Sequence, residues 1–168
     1  MEVPPELDEV RGDAWRTILA AAEHHNEPGA FTTFIAYEWT RSGPSGTHLH
    51  RNVIYRGDAV PDRPASSFEA ADARDLWRAL DRQREAGIPV LAIPHNPNLS
   101  GGMSFATTDM AGNPFDEEYI VTRRRNEPLT EIFQVKGTSE THPSLSPEDE
   151  FADFEIQDGL LPTGGTAD

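Results

Sequence analysis

The sequence predicts an α/β fold in which buried strands deliver polar residues to one functional edge. Apolar runs at 31–37, 88–94 and 129–135 each stop abruptly at a polar residue, and helical patterns lie between them. In parallel α/β folds the carboxyl ends of the strands form the functional face, because the loops there vary while the strands hold them. We therefore expect one shared site from the polar residues that follow the runs: Glu38, His95 and the loop 136–142.

Composition excludes several classes of function. The 168 residues include 29 acidic and 14 basic side chains, for a formal net charge of -15. Nucleic acid is not an expected partner, because binding phosphates requires a basic face. No apolar window approaches the roughly 18 residues of a membrane span, so no membrane partner is expected. With no Cys, a metal would have to be held by His and carboxylate.

The length indicates one domain, well short of the roughly 250 residues of a complete eight-fold barrel. We expect a single α/β segment over 1–161 and a disordered or truncated tail over 162–168, where Pro, Thr and Gly dominate. The first residues are acidic and do not resemble a signal peptide. The compartment stays open, and a longer parent protein could be periplasmic or secreted.

The first half of the chain predicts a helix and a hairpin. Apolar residues recur at helical spacing from Asp13, a suitable N-cap, to the Asn-Glu-Pro-Gly segment 26–29. Strand 31–37 is followed by a Gly/Pro/Ser loop and a second strand, 50–55. Pairing of these strands would make Glu38 and His50 neighbours, with His48 as a spare candidate. His24 and His25 are interpreted as a solvated helix end.

The second half predicts two crossover units. A helix around 76–84 ends at Gly87 and leads into strand 90–93. A helix capped by Asn113 and Pro114 leads into strand 129–135, and Ser146 opens a short helix through Phe151 and Phe154.

Glu38, His50 and His95 are the candidate metal ligands. Two His and one carboxylate suit manganese, iron or zinc and leave positions open for water and substrate. The alternatives are that Glu38 forms a salt bridge with an Arg and that His95 has a structural role.

Lys136, Glu140 and His142 are candidate catalytic residues that could bind an anion, position water or transfer a proton. The alternative is that Lys136 is a solvated cation in a turn satisfied by Ser139 and Thr141. A serine hydrolase is not favoured, because no Gly-x-Ser-x-Gly segment occurs.

Six long motifs cover most of the chain: residues 31–40, 49–55, 93–100, 126–132, 136–143 and 149–155. Together they resemble a large bacterial family of domains of unknown function, placed in the polymerase and histidinol phosphatase (PHP) superfamily. That resemblance implies a distorted α/β barrel with a cluster of divalent metals at the carboxyl ends of its strands. It also implies hydrolysis of phosphate esters or aryl sulfate esters through a metal-bound hydroxide.

Within this resemblance, Glu38 is similar to the bridging metal carboxylate, and His50 and His95 are similar to the two His of one metal's shell. The superfamily's opening His-x-His, the following Asp-His and the closing Asp-x-His are absent. The chain therefore resembles an internal piece of a PHP-like barrel, with parallel strands plus a hairpin.

We expect a small anionic ester as substrate, bound by Asn96 and Arg51, and self-association through unpaired strand edges. The alternative function is a non-catalytic fragment or binding module that lacks a complete metal cluster.

Overall fold

The computed structural model describes residues 4–43, 46–108 and 112–156. The tail 162–168, expected to be disordered or truncated, lies outside these ranges. The described elements, in chain order, are α1 (Pro5–His25), β1 (Ala36–Trp39), β2 (Arg51–Tyr55), α2 (Ala73–Glu85), β3 (Val90–Pro94), α3 (Glu117–Asn126), β4 (Phe133–Gln134) and β5 (Gly137–Thr138). None of the described helices combines the length and the apolar character needed to cross a bilayer.

The main sheet has three strands in the order β1-β2-β3, and both pairings are antiparallel. The chain is thus α/β in composition, and the predicted hairpin is present. Its first strand covers Ala36–Trp39 and not 31–37, so Glu38 lies within the strand and not after it. The parallel strands predicted from the sequence are wrong, so the described sheet gives no support to a parallel barrel.

The route of the chain between β2 and β3 explains the antiparallel pairing. After β2, the loop 56–72 crosses the sheet, since Trp39 at the far end donates its indole N–H to the Ala70 carbonyl at 3.2 Å. Helix α2 then runs back, and its Gln83 accepts a hydrogen bond from the Tyr55 hydroxyl at 3.1 Å. The loop runs along the sheet in one direction, and the helix brings the chain back to the end at which β2 finished. β3 therefore starts beside the end of β2, with Val90 opposite Tyr55.

The core lies between this sheet and the helices α1 and α2. Trp15 packs against Tyr55 with ring centroids 6.0 Å apart, and it donates to the Pro61 carbonyl at 3.0 Å. Val53 and Leu80 are fully buried in the same cluster. Burial of each such apolar side chain contributes about 1.5–3 kcal/mol, so this layer fixes which face of the sheet is turned inward.

Two helices, α1 and α3, begin at residues other than the predicted ones. α1 begins at Pro5, so Asp13 lies within the helix and pairs with Arg16 instead of capping. The cap of α3 is Asp116, whose carboxylate accepts from the Tyr119 N–H at 2.8 Å, and not Asn113. The end of α2 is as predicted, with Gly87 just beyond it at a φ of 86°.

The strand predicted at 129–135 is reduced to β4, which pairs with β5. Leu129 and Val135 are exposed, so a longer strand would bury little apolar surface against the described part of the chain. The helix predicted from Ser146 through Phe154 is also wrong. Successive i to i+3 turns replace it, and Phe151 and Phe154 are exposed.

Candidate metal centre

Three polar side chains share the face of the sheet that is turned away from the core. Glu38 is paired across the sheet with Asn52, and paired residues point to the same side. His50 and His95 lie one position beyond the Arg51 and Pro94 pair, so strand alternation places them on that side too. The antiparallel hairpin therefore brings together the end of β1, the start of β2 and the end of β3.

The ligand atoms of these three residues converge on one point. Glu38 Oε1 lies 2.8 Å from His50 Nδ1 and 3.4 Å from His95 Nε2. One ligand atom from each residue lies within 4.8 Å of the other two. The 2.8 Å separation is an ion-pair distance between the Glu38 carboxylate and the His50 ring.

These separations come close to those of a coordination shell. Two atoms that are each about 2.1 Å from one ion lie about 3.0 to 3.4 Å apart at octahedral or tetrahedral angles, and at most about 4.2 Å apart. The two Glu38 distances are near this range. The widest separation, up to 4.8 Å, must close by about 0.6 Å for ligands on opposite sides of the ion and by about 1.4 Å for tetrahedral neighbours. With one carboxylate and two imidazoles, the group could hold zinc, iron or manganese.

The protonation state of His50 also suits metal binding. Burial lowers the pKa of His50, and the rings of His48 and His95 lower it further, although the Glu38 carboxylate raises it. A lowered pKa favours the neutral imidazole at neutral pH, which is the form that binds a metal. Glu38 is the most exposed of the three, with 46% of its side chain accessible, so the group opens to solvent on that side.

Neighbouring residues hold His50 in place. Its ring stacks on His48, with centroids 4.9 Å apart and an interplanar angle of 17°. Its backbone N–H donates to Asn96 Oδ1 at 3.4 Å. Asn96 is buried, and its Nδ2 has no partner among the residues described. His95 Nδ1 is likewise unpaired there, whereas metal-binding His usually donates from its second nitrogen.

The loop 136–142 packs next to the loop that follows β3. No contact in the described ranges joins it to Glu38, His50 or His95. Asn98 Nδ2 donates to the Lys136 carbonyl at 3.0 Å, and the Asn98 N–H donates to Ser139 Oγ at 2.9 Å. Glu140 and His142 are exposed, and His142 Nδ1 lies 2.7 Å from Ser144 Oγ. No contact found in the described ranges joins Lys136, Glu140 or His142 to the ligands, so their catalytic roles stay predictions.

Arg51 is not brought to this group, because strand alternation turns it to the opposite face. Its Nε donates to Glu127 Oε1 at 2.9 Å in a buried ion pair. The same oxygen accepts from the Trp77 indole at 2.8 Å. This geometry does not support the predicted contact of Arg51 with a substrate at the three ligands. Glu127 lies within the motif 126–132, but no local sequence pattern predicts that it pairs with Arg51.

Comparison with known families gives a family for the chain but no function. A family model described as "Protein of unknown function (DUF3604)" matches residues 3–167. The chain belongs to this family. No curated protein and no solved structure matches it significantly. The expected membership in a family of unknown function is thus confirmed. The family description names no reaction or ligand.

Proposed function

We propose that Glu38, His50 and His95 form a divalent-metal site of an ester hydrolase that acts on phosphate or aryl sulfate esters. The observation that carries this proposal is the convergence of three ligand atoms within 4.8 Å on one face of the sheet. The resemblance of the long motifs to PHP-like hydrolases supports the reaction class.

The residues present fit such an ion in type and number. A bound divalent ion would supply Lewis acidity toward an ester oxygen and would lower the pKa of a water. Glu38 and His95 would hold the ion from the ends of β1 and β3. Glu38, as the exposed member, lies on the side from which substrate would enter.

Two further groups of this chain are suited to the anionic ester. Asn96 positions the His50 backbone through Oδ1 and keeps Nδ2 as a buried donor without a partner in the described ranges. We assign this donor to an ester oxygen, since an unmatched buried donor costs about 1–3 kcal/mol until it is bonded. Lys136, whose backbone is held against Asn98, would neutralise the charge of the ester.

The alternative is a non-catalytic binding module. It is favoured by one observation: only one group of three or more potential ligands occurs among the described residues. A lone ion cannot clamp both the attacking and the leaving oxygens, as two-metal sites do. We therefore expect the 168-residue chain to show little turnover of aryl phosphates or aryl sulfates.

Metal titration tests the site directly. Isothermal calorimetry of the metal-free chain with Mn²⁺ and with Zn²⁺ should give one bound ion. Glu38→Gln and His95→Ala should each weaken binding by at least about 100-fold, more than the 10–100-fold typical of an outer partner. Glu140→Gln and His142→Ala are matched controls with no contact to the ligands, and they should leave the affinity unchanged. Equal affinities for the chain and for Glu38→Gln would refute the site.

An esterase assay separates the two functions. With aryl phosphate and aryl sulfate substrates, weak turnover by the metal-loaded chain that a chelator and His95→Ala abolish would support the hydrolase, and no turnover above background would favour the binding module. Vigorous turnover that is abolished by a chelator and by His95→Ala would overturn the single-ion argument and establish the chain itself as an enzyme.

A further inference from the structure

A second cavity lies on the other face of β2, behind the metal centre. It has a volume of about 510 Å³, within the range of small-molecule sites. Strand alternation places the cavity and the candidate metal centre on opposite faces of β2, because His50 points to the metal centre while the next residue, Arg51, lines the cavity. The cavity is therefore distinct from the site of the proposed function.

The cavity is cationic in a strongly acidic chain. Four guanidinium groups line it, those of Arg41, Arg51, Arg74 and Arg123, against one carboxylate, that of Asp72. Such a concentration is unexpected in a protein with a net charge of -15, because a random surface would carry mostly acidic groups.

Two of the four arginines share one carboxylate. Glu127 pairs with Arg51 at 2.9 Å and with Arg123 at 3.4 Å. Arg41 and Arg74 are exposed, and no carboxylate within the described ranges forms an ion pair with either. Among the described residues the positive charges of the lining therefore outnumber the carboxylates of Glu127 and Asp72.

The wall next to these charges is aromatic and apolar. The Arg74 guanidinium lies 4.7 Å from the Tyr119 ring centroid and 5.7 Å from that of Phe115. Phe115 and Tyr119 stack on each other with ring centroids 3.7 Å apart, so the Arg74 guanidinium lies beside this pair. Arg74 is exposed, and its N–H groups can therefore also bind an anion. Met103 and Trp39 also line the cavity, and the Arg51 guanidinium lies 5.6 Å from the centroid of the buried Trp39 ring. The cavity therefore combines a flat apolar surface with cationic groups at its rim.

We propose that this cavity binds a small aromatic anion, such as an aryl carboxylate, with its ring against Phe115 and Tyr119 and its charge on Arg74 and Arg41. Neither the metal centre nor ester hydrolysis is needed for this binding. Charge alone does not explain the cavity, because a site for a bare inorganic anion needs no apolar wall.

Binding of 2-naphthoate to the whole chain tests the proposal. We expect saturable, one-to-one binding by calorimetry and a change in Trp fluorescence, since Trp39 lines the cavity. Neutral naphthalene-2-carboxamide and inorganic phosphate should each bind at least about tenfold more weakly, because each lacks one of the two kinds of contact. Equal binding of the amide would overturn the anionic part, and equal binding of phosphate would overturn the aromatic part.

Variants locate the binding. Arg74→Gln should weaken 2-naphthoate binding by about tenfold or more, the loss expected for a hydrogen bond between charged groups. Arg78→Gln is the matched control, since Arg78 lies on the same helix, is 65% exposed in its side chain and does not line the cavity. His95→Ala should retain full binding. Loss of binding in His95→Ala, or equal losses in Arg74→Gln and Arg78→Gln, would overturn the assignment.

Discussion

Glu38 and His50 contact each other at 2.8 Å across the β1-β2 hairpin, although twelve positions separate them in the chain. The pair lies on the solvent side of the sheet, while the neighbouring Trp39 and Arg51 are buried on the core side. One hairpin thus serves two purposes, because alternate residues build the core and the group that we propose binds a metal. Substitutions on the two faces should consequently have different effects.

On the metal face, Asn96→Ala should weaken Mn²⁺ or Zn²⁺ binding by about tenfold, the lower end of the range for an outer partner. Asn96 Oδ1 holds the His50 backbone, so its loss frees the ligand to move. Calorimetric titration measures the change. Asn98→Ala, which loosens the 136–139 loop instead, should leave the affinity unchanged. A larger effect from Asn98 than from Asn96 would contradict this account.

On the core side, Glu127→Ala should lower the free energy of unfolding by about 3–5 kcal/mol, because it leaves the buried Arg51 charge without its partner. Replacing both partners, as in Arg51→Met with Glu127→Leu, should cost less than Glu127→Ala alone. Urea unfolding measures both. The exposed pair of Arg125 with Asp81 is the reference, and Arg125→Ala should cost less than about 1 kcal/mol.

Glu69 should give a measurable pH dependence of stability. Burial raises the pKa of Glu69, but hydrogen bonds from Arg11 and Ser66 outweigh burial and hold the pKa at about 2, below the ordinary 4.5. The lowered pKa contributes stability that is present above pH 4.5 and is lost as the pH falls toward 2.

We therefore expect Glu69→Gln to be less stable than the unmodified chain at pH 7, by less than about 1 kcal/mol, because Glu69 is about half exposed. The difference should shrink steadily between pH 4.5 and pH 2. Urea midpoints across this interval measure it. A difference that stays constant with pH would show that Glu69 does not titrate in this way.

The edges of the sheet should favour self-association. β1 and β3 are the outer strands. The edge of β3 is partly covered, since the Pro94 carbonyl accepts from the Glu131 N–H at 2.9 Å. The relevant edge is therefore that of β1, which follows exposed Phe34. Repulsion from the net charge of -15 opposes contact between copies. Salt screens this repulsion, so the apparent mass from light scattering should rise between roughly 0.02 and 1 M salt. A constant monomer mass over that range would contradict the expectation.

The sequence by itself determined the local features of this protein. The hairpin, the end of α2 at Gly87 and the convergence of Glu38 with His50 follow from turn residues and from strand alternation, which act over a few positions. His95 was also expected to lie near Glu38, and it does so because β1 and β3 both run antiparallel to β2, so that their carboxyl ends share one edge of the sheet.

Only the tertiary structure decided the strand directions and the residues that meet across the core. The antiparallel pairing of β3 depends on the path of the loop 56–72, which is set by distant contacts such as that of Trp39 with Ala70. The pairing of Arg51 with Glu127, residues 76 positions apart, and the cluster of arginines around the second cavity have the same origin. Local pattern carries no information on such contacts, because they form only when separate elements pack together.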